Sequence, residues 1–290
     1  MSLIILYREY PTWPIAPVVV FSLTAAAVLF SIFRGSTYRT LLVCSALIAV
    51  ISQLLCAILI LVDFNTIHNP FQLVLPYFHS LKPVYHLFEA IYGPFMFVPG
   101  LIAFGRISKK RNSKIGVLIS YFGYVWTIAV IIVGLALMIY ILTELPDGDD
   151  FFDTIFNSMS PLKINSTQLE VCFKMSDFTY FSVWALVVTS LIHHVTQFGA
   201  LKGKARNSLI AYSTLNIIAV IFNTAVPFML RKVSEYSQII IAIVITLVFV
   251  HITSCIAILL AAQYGHLWDT DEIQVGPQDL DIEKSQVPDN

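Results

Sequence analysis

The stretch from Val84 to Lys114, VYHLFEAIYGPFMFVPGLIAFGRISKKRNSK, constrains the fold more than any other part of this chain. About twenty residues separate His86 from Arg106, and at ~1.5 Å of rise per residue a helix of that length matches the ~30 Å hydrocarbon core of a bilayer. Past one end stands a dense basic cluster, Arg106, Lys109, Lys110, Arg111 and Lys114. Lysine and arginine stay on the cytoplasmic side of a spanning helix, so this cluster places that end inside the cell. Glu89 then lies in the outer third of the membrane, and it is the only acidic side chain inside any apolar span. A carboxylate is costly there, which makes Glu89 the first candidate for function.

The rest of the chain repeats the pattern. Hydrophobic residues make up 57% and charged residues only 12% of the 290, against a charged fraction of ~25% in soluble domains. The charge is segregated rather than missing. Seven apolar spans emerge, at residues 15–33, 41–62, 84–105, 115–142, 178–201, 208–230 and 239–262, and together they predict an all-α, seven-transmembrane helix bundle. Pro83 suits the first turn of the third span, and Pro94 and Pro99 should kink it. The first fourteen residues have too short an apolar run, followed by Arg8 and Glu9, for a cleaved signal peptide, so the first span is expected to insert itself. Residues 263–290 are acidic and poor in large apolar side chains, and read as a mostly disordered tail. Of the four cysteines, Cys44, Cys56 and Cys255 fall in spans, and Cys172 falls in the loop from Thr143 to Asp177 with no obvious partner.

Orientation follows from counting cations. The turns after spans one, three and five carry ten Lys/Arg (Arg34, Arg39, the cluster above, Lys202, Lys204 and Arg206), and the opposite side carries six. This predicts the N-terminus outside and the tail in the cytoplasm. The one N-x-S/T sequon, Asn165-Ser166-Thr167, sits in the long loop on the predicted outer side, where glycosylation requires it. A plasma-membrane, multi-pass protein is the expected setting. No internal repeat of the transporter kind stands out.

His86 and Glu89 stand at i and i+3 and share a helix face, with Tyr85 and Tyr92 near them on the wheel and Lys82 two turns away. Two readings compete for them. One is an outward pocket in which Glu89 meets a cationic or hydrogen-bonding ligand; the other is structural, a pair with His86 or Lys82 or a protonated Glu89 hydrogen-bonded to a neighbouring helix. Spans five to seven add Tyr180, Trp184, Asn223, Thr224, His251 and Ser254, which serve either as ligand contacts or as links between helices. The histidines lie at different depths and show no metal-ligand spacing, so neither metal nor cofactor is expected, and His193 and His194 read as a pair at the inner interface. No nucleophile elbow, phosphate loop or paired carboxylate points to an enzyme. A net charge of -1 gives no field for nucleic acid. Arg106, Lys109, Lys110, Arg111, Lys202, Lys204 and Arg206 form a basic inner rim, which records topology alone or serves to dock a cytosolic partner or anionic membrane lipid.

Seven spans, an outer N-terminus and a basic inner end of the third span resemble the G-protein-coupled receptor superfamily. The short loops look like those of the divergent serpentine chemoreceptors of nematodes. Arg106, within Gly105-Arg106-Ile107, is similar to the arginine of that superfamily's inner triplet, and Trp126 to its fourth-span tryptophan. The N-P-x-x-Y and C-W-x-P motifs of the rhodopsin type are absent, and no cysteine stands at the top of the third span to pair with Cys172. The resemblance implies an orphan chemosensory receptor with a small-molecule or peptide ligand held near Glu89, His86, Tyr85, Tyr92, Trp184, Asn223 and His251, signalling through a heterotrimeric G protein. The alternative is a small transporter or accessory membrane protein that uses Glu89 and His86 as a proton or substrate site.

Overall fold

The computed structural model describes residues 15–32, 37–66, 82–144, 166–197, 201–230, 241 and 244–269. Among these the chain is almost wholly helical and has no strand. The elements are α1 (Ile15–Ile32), α2 (Thr37–Thr66), α3 (Lys82–Phe95), α4 (Val98–Lys110), α5 (Lys114–Glu144), α6 (Ser166–Thr196), α7 (Gly203–Leu230), a π-helical stretch (Thr246–Ile252), α8 (Thr253–Tyr264) and a 3-10 turn (Gly265–Asp269). Six helical runs are long and apolar enough to cross a membrane, the mark of a multi-pass membrane protein, and α1 is a shorter apolar helix beside them. Helix is the form such segments take because lipid offers the backbone no hydrogen bonds.

The helices close into a ring. α1 packs on α2, α2 on α3, and α5 on both α3 and α4; α6 follows α5, α7 pairs with α8, and α8 returns to α1 and α2. The run Val84–Lys110 is the most enclosed of the six, with 61% of its span buried against 28% for Lys114–Thr143. The stretch that carries Glu89 and Arg106 is therefore the axis of the bundle. Its outer neighbour α5 turns Ile115, Leu118, Val125, Ile128, Ile132 and Ile139 outward and buries Val130, Leu137 and Ile141.

The axis is interrupted, as its prolines foretold. α3 ends at Phe95 and α4 begins at Val98, with Met96 and Phe97 between them. Pro99 has no N–H to offer the Phe95 carbonyl, and its ring crowds that carbonyl. Phe97 N–H falls back to the Pro94 carbonyl at 2.9 Å, and Leu101 N–H resumes the helix on Phe97 at 3.0 Å. At the far end α4 stops in a Schellman-type turn. Asn112 takes φ 53°, Ser113 N–H reaches the Ser108 carbonyl at 2.8 Å, and Ser113 Oγ then accepts Gly116 N–H at 3.3 Å to cap α5.

Several boundaries differ from the sequence reading by a turn or so, and two of the differences move a named side chain. α6 begins at Ser166, so Cys172 lies in a helix and not in a loop; it is buried against Leu137 and Ile141. The charged residues of its first turns are carried on the helix surface, with Lys174 Nζ 2.7 Å from Glu170 Oε1 one turn earlier. The last span also runs past Ala262. Tyr264 closes α8, and the 3-10 turn carries Trp268 into the core, where it is fully buried. All four cysteines are free thiols. Asn165 and residues 270–290 lie outside the described residues.

Candidate functional site

The seven ligand candidates divide into separate groups. His86 and Glu89 do share a face of α3, with His86 Nδ1 3.7 Å from Glu89 Oε2 and the Tyr85 ring edge-on to His86 at 5.7 Å between centroids. The Glu89 side chain is not sunk in the bundle. It is 37% exposed, and His86 is 14% exposed. Glu89 lies within electrostatic reach of the Cys56 thiol on α2 and the Tyr180 hydroxyl on α6. α3 packs on both of those helices, and Tyr180 places Glu89 by the seam of α3 with α6.

Tyr180 ties that seam to the second group. Its hydroxyl donates to the Asn223 carbonyl on α7, and one turn deeper Trp184 Nε1 donates to Thr224 Oγ1 at 3.1 Å. Trp184 and Asn223 thus belong to one α6–α7 clasp, in which Asn223 takes part through its backbone. The remaining two candidates link helices. Tyr92 turns away from α6 and donates to Ser254 Oγ of α8 at 2.7 Å. His251, on the π-helical stretch, meets Gln53 of α2 at 3.3 Å and the edge of Phe21 of α1 at 5.3 Å. Of the two roles open to these polar residues, interhelical bonding is the one seen for Tyr92, Trp184 and His251.

A second polar centre sits at the break in the axis. In an unbroken helix the Met96 carbonyl would accept Gly100 N–H. Here Tyr212 of α7 puts its hydroxyl between them. The hydroxyl donates to Met96 O and accepts Gly100 N–H at 3.3 Å, and Asn216 Nδ2 donates to the same carbonyl at 2.9 Å. Gly100 permits the approach, because a Cβ at that position would stand 3.0 Å from Tyr212 Cε1. Behind Tyr212 lies Trp268, whose ring centroid is 5.4 Å away and whose Nε1 donates to Ser208 Oγ at 2.9 Å. The sequence reading missed this centre. Its one signal was the Pro94/Pro99 pair, which announces freed backbone groups in need of partners.

The third polar centre is at the basic end. Gln197 receives Arg111 Nη1 on Oε1 at 3.4 Å and donates from Nε2 to Ser108 Oγ at 3.1 Å. His193 is fully buried, stacked on Phe104 at 4.8 Å, with Nε2 3.1 Å from Ser120 Oγ. His194 meets the edge of the same phenyl ring at 4.9 Å. The interfacial pair read from sequence is thus packed between helices. A small cleft of ≈ 30 Å³ opens here, lined by Phe104, Ile107, His194, Gln197, Leu201, Arg206, Leu209 and Ile210. Around it, Arg106, Lys109, Lys110, Arg111, Lys202 and Lys204 are exposed and Arg206 is half-buried, so the basic candidates do gather at one end of the bundle. Among the described residues no group of three His, Cys, Asp or Glu side chains is placed to hold a metal ion. Comparison with protein-family models, with curated proteins and with solved structures returns no match to this chain.

Proposed function

We propose that this chain is a seven-span receptor of the serpentine chemoreceptor type, with its N-terminus outside the cell, that binds a small cationic or hydrogen-bonding ligand beside Glu89 and signals through a G protein at its basic end. The seven spans are α1, α2, the α3–α4 axis, α5, α6, α7, and the π-helical stretch with α8. α1 counts because its 18 residues are apolar and packed on α2 and α8. The inward direction of the basic end rests on the gathering of Arg106–Arg111 and Lys202–Arg206 at one end, since cations mark the cytoplasmic side.

The observation that carries the reading is the broken axis. α3 holds the Glu89–His86 pair, α4 holds the basic end, and the joint between them is held by α7 through Tyr212 and Asn216. A ligand that changes how α3 packs against α6 would change the joint, and with it the placing of α4 against α7. Two discrete packings of rigid halves are what a switch requires.

Topology is tested with an epitope at each end of the chain. The N-terminal tag should stain on intact cells and the C-terminal tag only after permeabilisation, and a glycosidase-sensitive mobility shift should vanish in Asn165→Gln. A cytoplasmic N-terminus overturns the proposal. Ligand binding is tested on Glu89→Gln in cells screened with a panel of small amines. Loss of a charge-assisted hydrogen bond should weaken the response roughly tenfold at unchanged surface expression. If expression collapses while the response per surface molecule holds, Glu89 is structural. Proton-coupled uptake abolished by the same change would instead mark a transporter.

A further inference from the structure

We propose that the cleft between α4, α6 and α7 at the basic end binds the phosphate headgroup of an anionic phospholipid. The inference rests on the membrane topology proposed above, not on receptor signalling. Its lining has two chemistries. Leu201, Leu209, Ile210, Ile107 and Phe104 form an apolar wall, and His194, Gln197 and Arg206 form a polar one. On the same helices Ile192 and Val195 of α6, near His194 in the chain, and Ile210 of α7 are exposed. A surface apolar on its outward side and basic at its lip fits a lipid, with acyl chains along the helices and a phosphate at the interface. A soluble anion has no use for the apolar wall.

Charge gives the second argument. Residues 90–143 and 178–230 carry no Asp or Glu, so among the described residues this end sets the seven cations of the basic rim against one acid, Asp269, on the 3-10 turn that packs on α4 and α7. Each Lys or Arg near an anionic membrane surface strengthens attachment about fivefold. The enclosed part of the cleft, ≈ 30 Å³, has room for water-sized molecules and not for a headgroup. The phosphate therefore sits at the mouth, against the Arg206 guanidinium, with Lys202 and Lys204 beside it. His194 Nε2, buried without a hydrogen-bond partner, belongs to a residue of the same lining.

The test is native mass spectrometry of the full-length chain from detergent micelles of phosphatidylcholine doped with phosphatidylinositol bisphosphate. One anionic lipid should be retained in preference to phosphatidylcholine. Arg206→Gln should lower its occupancy about fivefold, and Lys109→Gln/Lys110→Gln should leave it unchanged. Melting in phosphatidylcholine alone checks that each variant is folded. If Arg206→Gln does not fold, Lys202→Gln/Lys204→Gln, which removes two exposed cations, should lower occupancy about twenty-fivefold. Equal loss in the Lys109/Lys110 variant would mean diffuse charge and not a site. Displacement of the lipid by equimolar inositol trisphosphate would mean that the ligand is a soluble phosphate. Retention only after Asp271→Asn/Glu272→Gln would mean that the acidic tail fills the cleft. Each of these three results overturns the proposal, and none depends on signalling or on which way the bundle faces.

Discussion

The Gly134→Val chain should lose the packing of α5 on the axis. A Cβ at position 134 would stand 2.3 Å from Ala90 Cβ and 3.8 Å from Ala90 Cα. Ala90 has no side-chain rotation with which to retreat, so α3 and α5 must part by roughly an ångström, the interval back to ordinary contact. Overpacking of this kind costs ~1–3 kcal/mol, and a β-branched side chain stands at the upper end. In a chain of this size that corresponds to a fall in Tm of about 3–10 °C, read by thermal unfolding of the detergent-purified protein. Gly123→Ala is the control. A Cβ there meets the Leu101 methyls at 2.7 and 2.8 Å, which a rotamer change can move, and the gain in helix propensity offsets part of the cost. If the two variants melt alike, α5 is not held against α3 through glycine contacts, and the close approach of these helices is wrong.

Tyr212→Phe should shift the balance between two packings of the axis. The substitution keeps the ring, its contact with Trp268 and its fit over Gly100, and removes only the hydroxyl. Asn216 still serves Met96 O, but Gly100 N–H loses its acceptor. A buried donor left without a partner costs ~1–3 kcal/mol. The inexpensive remedy is to straighten the break, so that Gly100 N–H returns to Met96 O. The ratio of straight to broken forms should therefore rise by about fivefold to more than a hundredfold. Under the receptor function proposed above this should appear in cells as altered basal output per surface molecule, and in detergent as a lower Tm. Asn216→Ala alone and in combination should show non-additivity, because the two side chains share one carbonyl. Unchanged basal output together with additive melting shifts would reduce the joint to a packing detail.

The helical class and the six long apolar helices were legible because charge is segregated along the chain. Which face of each helix turns inward was not. On α5 the outward Ile115, Leu118, Val125 and Ile128 are as apolar as the inward Val130, Leu137 and Ile141, since lipid replaces water outside and removes the contrast that orients helices in soluble proteins. The break at Met96–Phe97 could be read from Pro94 and Pro99, but not the group that mends it, since Tyr212 lies 116 residues further on. Grouping by helical wheel overstated the site. His86 and Glu89 meet as their i, i+3 spacing requires, while Tyr92, three residues on from Glu89, turns to α8. Read from sequence, the apolar stretch starts only at Phe178 and leaves Cys172 in a loop, although Glu170, Lys174 and Asp177 stand on a helix that outruns it. Trp268 escaped notice for a related reason. It follows Gln263, Tyr264 and His266, where hydropathy has already fallen.

That tryptophan sets where the chain can be cut or joined. A hydropathy profile would invite a fluorescent reporter or an affinity handle directly after Ala262, at the visible end of the last span. Such a junction would remove the indole that bonds Ser208 and backs Tyr212, along with the turn that lays Gly265 against Leu42 of α2. The fusion would then report on a bundle with its floor taken out. A junction beyond Asp269 leaves the floor in place, and any shortened version of this protein meant for structural or sensor work should keep every residue through that position.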